Sequence, residues 1–315
     1  MDHYEQRLFF APPPILGGGH MTTQFHDKKL LDAVKSGRLV PARSAIASGA
    51  NPNVVDPATL MPLAHICANQ RQFDMLRELL SAKADTRARD REGRTLLRRC
   101  VEDGLPEAVK IIIGHNADLT EIDHARDTLL HSACTRGRKG LPYFDIAKQL
   151  IDAGASLSAK NERGEIPLHH AARYGGDRMT RFVGSRSDMA NADVDGHTPL
   201  HAGVLGIDNE DGVRALIDAK AVLDAKDRNG QTPLHLIGGK VRTRLTDIAV
   251  AKLLLAAGSN PWMRDRDGLT AHEVAVSGFE QRREVHQELV TLLKPKGIEP
   301  PREVFVPRDK SKGKV

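Results

Sequence analysis

Thr198-Pro199-Leu200-His201 is followed by Val213, Leu216 and Ile217, then by Ala221 and the turn Asp227-Arg228-Asn229-Gly230; at Thr232-Pro233-Leu234-His235 the pattern starts again. Each part has a physical reason. Thr is a helix N-cap whose side chain accepts an unpaired backbone N–H, and Pro at the first helical position has no N–H to leave unsatisfied. Val213, Leu216 and Ile217 stand at helical spacing, which gives a second helix one apolar face. Asp, Asn and Gly in a short run make a tight turn. The stretch is one module: helix, helix, turn.

Working outward, the counterparts of Thr198 are Met61, Thr95, Thr128, Ile166, Thr232 and Thr270, at successive spacings of 34, 33, 38, 32, 34 and 38 residues. A degenerate first module covers about 26–57, with Leu30-Leu31, Ala33-Val34, Gly37 and Gly49-Ala50-Asn51. The apolar face of the second helix recurs as Val109-Ile112-Ile113, Leu150-Ile151 and Leu254-Leu255. Gly49, Gly154 and Gly258 end second helices where a left-handed residue is wanted. Lys83 and Lys220 take that place in other modules, at a cost of about 1 kcal/mol each if their φ is positive. Asp90-Arg91-Glu92-Gly93, Asn161-Glu162-Arg163-Gly164 and Asp265-Arg266-Asp267-Gly268 repeat the turn.

This pattern resembles the ankyrin repeat, whose period is about 33 residues. The resemblance covers most of the chain and implies an all-α solenoid of about eight helix pairs with hairpin tips, the first and last acting as caps. It further implies an intracellular scaffold or adaptor, cytoplasmic or nuclear, that binds a linear peptide of a partner protein on its concave face and is no enzyme. The array is expected over 22–293, preceded by a linear segment, 1–21, and followed by a disordered basic tail, 294–315.

Composition agrees. Of the net charge of +5, +4 falls in the tail, so the body is near neutral and its charge does not point to nucleic acid as a partner. Cys67, Cys100 and Cys134 fall at small core positions, and no CxxC pair points to zinc or to disulfides. No run of about 18 apolar residues predicts a membrane span. The N-terminus lacks the basic start and apolar run of a secretory signal.

Leu8-Phe9-Phe10-Ala11-Pro12-Pro13-Pro14 is an apolar, proline-rich segment, and Gly17-Gly18-Gly19 is a flexible joint. With His20-Met21 behind it, the segment reads either as a partner-derived peptide fused ahead of the array or as a native or vector-derived terminus. In the first case Leu8, Phe9 and Phe10 are the anchors of a ligand for the groove, in cis near Tyr174 or Ile122, or in a neighbouring molecule. The fourth and seventh modules carry basic inserts, Arg136, Arg138 and Lys139, then Lys240, Arg242 and Arg244. Each is a solvated loop in the simpler reading and a secondary contact surface in the other. In the fifth module Phe182-Val183-Gly184-Ser185 replaces the usual apolar pair and Gly-Ala, so its second helix is expected to be short or irregular.

Catalytic and metal chemistry are not indicated. His131, His169, His201 and His235 are spread one per module, at the position where ankyrin histidines bond backbone. His272-Glu273 begins like a zinc-protease helix, but Val276 stands where the second ligand belongs. There is no phosphate loop, dinucleotide fingerprint or nucleophile elbow, and no cofactor is expected. What remains is the recognition face that the resemblance implies. Mapped onto this chain, it consists of Arg91, Arg94, Ile122, His124, Lys160, Val194, His197 and Arg228 at the tips, with Arg98, Arg136, Arg173, Tyr174 and Leu205 on the inner helices. Arginines mixed with apolar groups suit a peptide with aromatic anchors and acidic neighbours. Two other readings stay open. In one, the inserts and tail hold nucleic acid, an anionic membrane or an acidic protein tail. In the other, the array is the regulatory domain of a larger protein.

Overall fold

A computed structural model describes residues 20–137, 140–207, 209–239, 244–277 and 284–295. The anchors Leu8, Phe9 and Phe10, the glycine joint, the insert residues Arg138, Lys139, Lys240 and Arg242, and the tail beyond 295 lie outside the described residues. The helices pair in module order. α1 (His20–Lys35) pairs with α2 (Leu39–Ala47), α3 (Leu63–Asn69) with α4 (Phe73–Ser81), and α5 (Leu96–Glu102) with α6 (Pro106–Ile113). α7 (Leu129–Thr135) pairs with α8 (Leu141–Asp152), and α9 (Pro167–His170), prolonged by a π-turn (Ala171–Gly175), with α10 (Gly176–Gly184). α11 (Pro199–Leu205) pairs with α12 (Glu210–Asp218), α13 (Pro233–Gly238) with α14 (Leu245–Ala256), and α15 (Ala271–Ser277) with α16 (Glu284–Leu293). The expected all-α fold of helix pairs and hairpin tips is present. Extended backbone is confined to the tip bases: β1 (Val55–Asp56) pairs antiparallel with β2 (Met61–Pro62), and single bridges join Arg89 to Thr95, Ile122 to Thr128 and Arg264 to Thr270.

The chain forms two compact units, residues 1–100 with 107–117, and residues 101–106 with 118–315. In the first, Leu30, Val34, Leu63, Leu76, Leu79, Leu97 and Ile112 are buried; in the second, Leu130, Ile146, Leu150, Leu168, Val213, Leu216, Leu234, Leu254 and Leu289 are. Each such side chain contributes about 1.5–3 kcal/mol by leaving water. The three cysteines are buried core atoms, and burial pushes the Cys67 thiol up to about 12. Among the described residues no helix is long and apolar enough to cross a membrane. Lys83 and Lys220 both have φ of 65°, as their positions demand.

Two expectations change. The second helix of the fifth module is regular: α10 runs nine residues and buries Met179 and Val183 as its apolar face. The irregularity lies in the inner helix. The π-turn leaves carbonyls without their usual helical donors, and the side chains of α10 and the next module supply replacements. Thr180 Oγ1 donates to Ala171 O at 2.9 Å, and Asn209 Nδ2 donates to Ala172 O. The extra residues of the fourth and seventh modules, expected between the two helices around Arg136–Tyr143 and Gly238–Thr246, do not all lie there either. α8 and α14 are twelve residues long against nine in α12, and Tyr143 enters α8, where it is buried and donates to Glu102 O at 3.0 Å.

Candidate partner-binding face

In the turn tips the leading aspartate accepts backbone N–H groups two and four residues on. Asp193 Oδ1 takes Asp195 N and His197 N, both at 2.8 Å; Asp227 Oδ1 takes Asn229 N at 2.7 Å and Gln231 N at 2.8 Å. Asp90, Asp123 and Asp265 do the same. In the second unit the tips also bond to one another. Glu162 N donates to Ala125 O (3.0 Å), Val194 N to Arg163 O (2.8 Å), Arg228 N to Asp195 O (2.9 Å) and Arg266 N to Asn229 O (2.9 Å). At two of these joints glycine makes the closest approach possible. Gly196 and Gly230 have φ of 83° and 74°, and a Cβ at either would stand 2.8 or 2.9 Å from the next tip's nitrogen. His124, Glu162, Val194, Arg228 and Arg266 are therefore displayed one per module from a hydrogen-bonded backbone edge.

The repeated histidines tie each inner helix to the following tip. His131 Nδ1 accepts from Thr128 N at 3.2 Å, and its Nε2–H donates to Glu165 O at 3.0 Å. His169, His201 and His235 reach His197 O, Gln231 O and Leu269 O at 2.9, 3.1 and 3.0 Å. Burial lowers the pKa of all four, that of His131 to about 4, so the neutral ring is the working form. In the last module Glu273 accepts from Thr270 N at 2.7 Å, which is a capping role.

Beneath Tyr174 lies a buried polar cluster. The ligating atoms of Asp127, His131 and His170 come within 4.8 Å of one another. Every group is engaged. Asn161 Oδ1 accepts Arg163 N (3.0 Å) and Glu165 N (2.9 Å), which fixes its amide and aims Nδ2 at Asp127 Oδ1 (2.8 Å) and Glu165 Oε2 (3.2 Å). His170 Nε2 is 3.2 Å from Glu165 Oε2, and Arg173 Nη1 is 2.9 Å from Glu165 Oε1. Burial raises the Glu165 carboxyl, but the His170 bond, the Arg173 charge and the Asn161 bond outweigh it and hold the group well below the ordinary carboxylate range. His131 has no free nitrogen. Asn161 Nδ2 stands 2.8 Å from Asp127 Oδ1 and 3.3 Å from His170 Nε2, so an amide already engages two of the three groups. The cluster is an internal hydrogen-bonded network.

The residues expected on the recognition face divide three ways. Arg91, Ile122, His124, Lys160, Tyr174, Val194, Leu205 and Arg228 are exposed. Lys160 also donates to Ala192 O at 3.1 Å in the next tip. Arg94, Arg136, Arg173 and His197 are half-buried. Arg94 is held by Asp90 and Glu92, Arg173 by Glu165, and His197 lies between Asp193 (3.5 Å) and Asp227 (3.4 Å). Arg98 is corrected. It is 3% exposed, because in Thr95-Leu96-Leu97-Arg98 it occupies the buried histidine position. Sequence reasoning also missed three exposed tip arginines, Arg126, Arg163 and Arg266. Arg126 has φ of 60°, and its signal was arginine standing where the other tips have glycine.

Models of ankyrin repeats (three copies) match residues 30–123, 63–161, 100–183 and 130–227, together more than half of the chain. Among relatives, transient receptor potential cation channel subfamily A member 1 of Homo sapiens is 28% identical over 211 residues, 63% of this chain and 18% of that protein. Alpha-latrotoxin-Lg1a of Latrodectus geometricus is 30% identical over 59% of this chain and 13% of its own length. A putative ankyrin repeat-containing protein of Treponema pallidum is 32% identical over 42% of this chain and 43% of that protein. The chain thus spans less than half the length of these relatives. The crystal structure of the ankyrin repeat domain of Bcl-3 superposes with a TM-score of 0.60 at 20% identity, covering 74% of this chain and 97% of that one, which shows a shared fold.

Proposed function

The chain belongs to the ankyrin-repeat family, a protein-interaction fold, and we propose that it is a scaffold whose inner helices and tips in the second unit grip a linear peptide of a partner protein. One observation carries this reading. The Asn161, Glu165, His170 and Arg173 side chains are engaged with one another, while Ile122, Tyr174, Val194 and Leu205 stand 38–47% exposed beside basic side chains on a hydrogen-bonded frame. Exposed aromatic and apolar anchors next to arginine are what a peptide interface uses.

Selection of a displayed peptide library on the full chain tests it. Linear peptides should be enriched, and Tyr174→Ser should lose them with little change in melting. Val40→Ser, at a 75% exposed position of the first unit, should keep them. An empty selection, or one indifferent to Tyr174, ends the reading. Residues 2–16, with Leu8, Phe9 and Phe10, are a candidate ligand of this kind in cis or in a neighbouring molecule, and a synthetic 2–16 peptide should compete with the selected ones.

The exposed tip arginines Arg126, Arg163, Arg228 and Arg266 favour a second reading, a basic surface for an acidic partner. Salt separates the two. Binding to nucleic acid should fall by orders of magnitude between about 50 and 200 mM salt, whereas anchoring through Tyr174 should change little. In a third reading the repeats are the recognition segment of a longer chain, as their share of the relatives' length allows.

A further inference from the structure

The inner helix of the fifth module ends in the π-turn Ala171–Gly175, and each of that turn's first three carbonyls meets a group from outside the helix. Thr180 Oγ1 of α10 donates to Ala171 O at 2.9 Å and to Gly176 O at 2.7 Å. Asn209 Nδ2, from the next module, donates to Ala172 O and, at 3.0 Å, to Gly203 O. Gly206 comes so near that a Cβ on it would stand 2.7 Å from Arg173 O. Both donating side chains are shut away from solvent, Thr180 at 1% exposed and Asn209 at 3%.

The local sequence is shaped to this placement. Asn209 stands at the N-cap of α12, and Gly212 follows inside that helix, where a glycine weakens it. A larger residue has no room there, because a Cβ on Gly212 would collide with the Asn209 amide. Gly206 and Gly212 thus let residues 206–212 lie against the π-turn.

The direction in which Tyr174 points depends on that turn. A π-turn bonds i to i+5 and holds one residue more than an α-helical turn. Successive residues stand about 100° apart around an α-helix. Returning Ala171–Gly175 to α-helix would therefore swing the residues at its end by up to about 100°. A buried carbonyl that loses its helical donor is costly unless another replaces it, and for Ala172 the replacement is Asn209. The Tyr174 ring also rests against His170 at 6.2 Å and Arg173 at 5.8 Å. On the other side of the joint, Leu205 and Ile207 flank Gly206 and stand 38% and 58% exposed.

We propose that Asn209 is a positioning residue of the peptide site. By holding the π-turn of the fifth module against residues 205–209 of the sixth, it fixes the direction of Tyr174 and keeps that ring in one relation to Leu205 and Ile207. Buried as it is, Asn209 does not itself touch the peptide. This rests on the peptide-binding reading above and adds to it the residue that controls the site from inside the core.

The test uses the full chain with 3-fluorotyrosine at its three tyrosines, Tyr4, Tyr143 and Tyr174, observed by fluorine NMR, the Tyr174 line being assigned from Tyr174→Ser. Asn209→Asp keeps the shape but replaces the donating amide with a carboxylate that repels both carbonyls. It should shift or broaden the Tyr174 line and leave that of Tyr143, buried in the fourth module, in place; a merely structural loss moves both lines or neither. In the same variant, peptides selected by the library should bind about tenfold more weakly. A buried carboxylate can prevent folding, so Asn209→Ala, which only removes the donor, makes the same two comparisons, with melting as the control. A Tyr174 line that stays put or moves together with that of Tyr143, or unchanged peptide binding, in a folded variant overturns the positioning role, while the selected peptides and their dependence on Tyr174 continue to support the broader reading. A library that yields nothing overturns both.

Discussion

The module that starts at Thr198 and the one that starts at Ile166 solve the same packing problem with different chemistry. The later one holds its own helices with the repeated devices: Thr cap, histidine to the next tip, aspartate-led turn. The earlier one has an isoleucine for the cap and a π-turn in its inner helix, and the turn before it is led by Asn161 in place of aspartate. It compensates with Glu165, His170 and Arg173, and with Asn209, which the later module lends to it. The difference teaches that a departure from the motif is absorbed by buried polar groups, here those beneath the exposed Tyr174.

Removing the acid at the centre should break this comparison most sharply. Glu165→Ala leaves Arg173 without its counter-charge and should cost about 3–5 kcal/mol in urea denaturation, whereas an exposed acid such as Glu210 should cost little. Next come the tips. Gly196→Ala combines positive φ with a 2.8 Å approach to Arg228 N and should cost about 2–3 kcal/mol; Gly268→Ala has open space and only the conformational term, about 1 kcal/mol. Equal costs would show that the tip ladder contributes nothing.

Asn161→Asp restores the motif yet should destabilise by about 2 kcal/mol at pH 7, because it gathers three carboxylates. The deficit should shrink between pH 7 and 5 as the new acid takes a proton. A variant as stable as the parent would refute the assigned amide orientation. The gentlest effect is acid sensitivity. Burial lowers the pKa of His65, His131, His169, His201 and His235 in the folded chain. The unfolded chain therefore binds protons first, and stability is complete above about pH 6.5 and declines as pH falls toward the folded values. The depressed carboxyls of Asp56 and Glu165 add to the loss below about pH 4. A urea midpoint that rises from pH 7.5 to 5 would contradict this.

Much of the fold was legible because Thr-Pro-Leu-His encodes a cap, a start and a tether in four residues. The exposed columns followed by counting from it. Arg98 was misplaced because the same count, applied to Thr95, puts it at the tether. The π-turn left no such mark: Ala171-Ala172-Arg173-Tyr174-Gly175 is compatible with an ordinary helix, and only the short spacing of 32 residues hinted at it. Asn161 was visible as the one asparagine among aspartate-led tips, but its meaning depends on Asp127 and Glu165, which meet only in three dimensions.

The tip-to-tip bonds of the second unit all run one way, each later turn giving a proton to the earlier one. A module that carries both the giving nitrogen and the receiving oxygen can be copied and spliced between two of its own kind with no new fitting. The Thr198 and Ile166 modules both meet that requirement, through Arg228 N and Asn229 O and through Val194 N and Asp195 O, but the Ile166 module is also keyed to Asp127 before it and to Asn209 after it. Growth or loss of length by duplication is thus open on one side of that joint and closed across it.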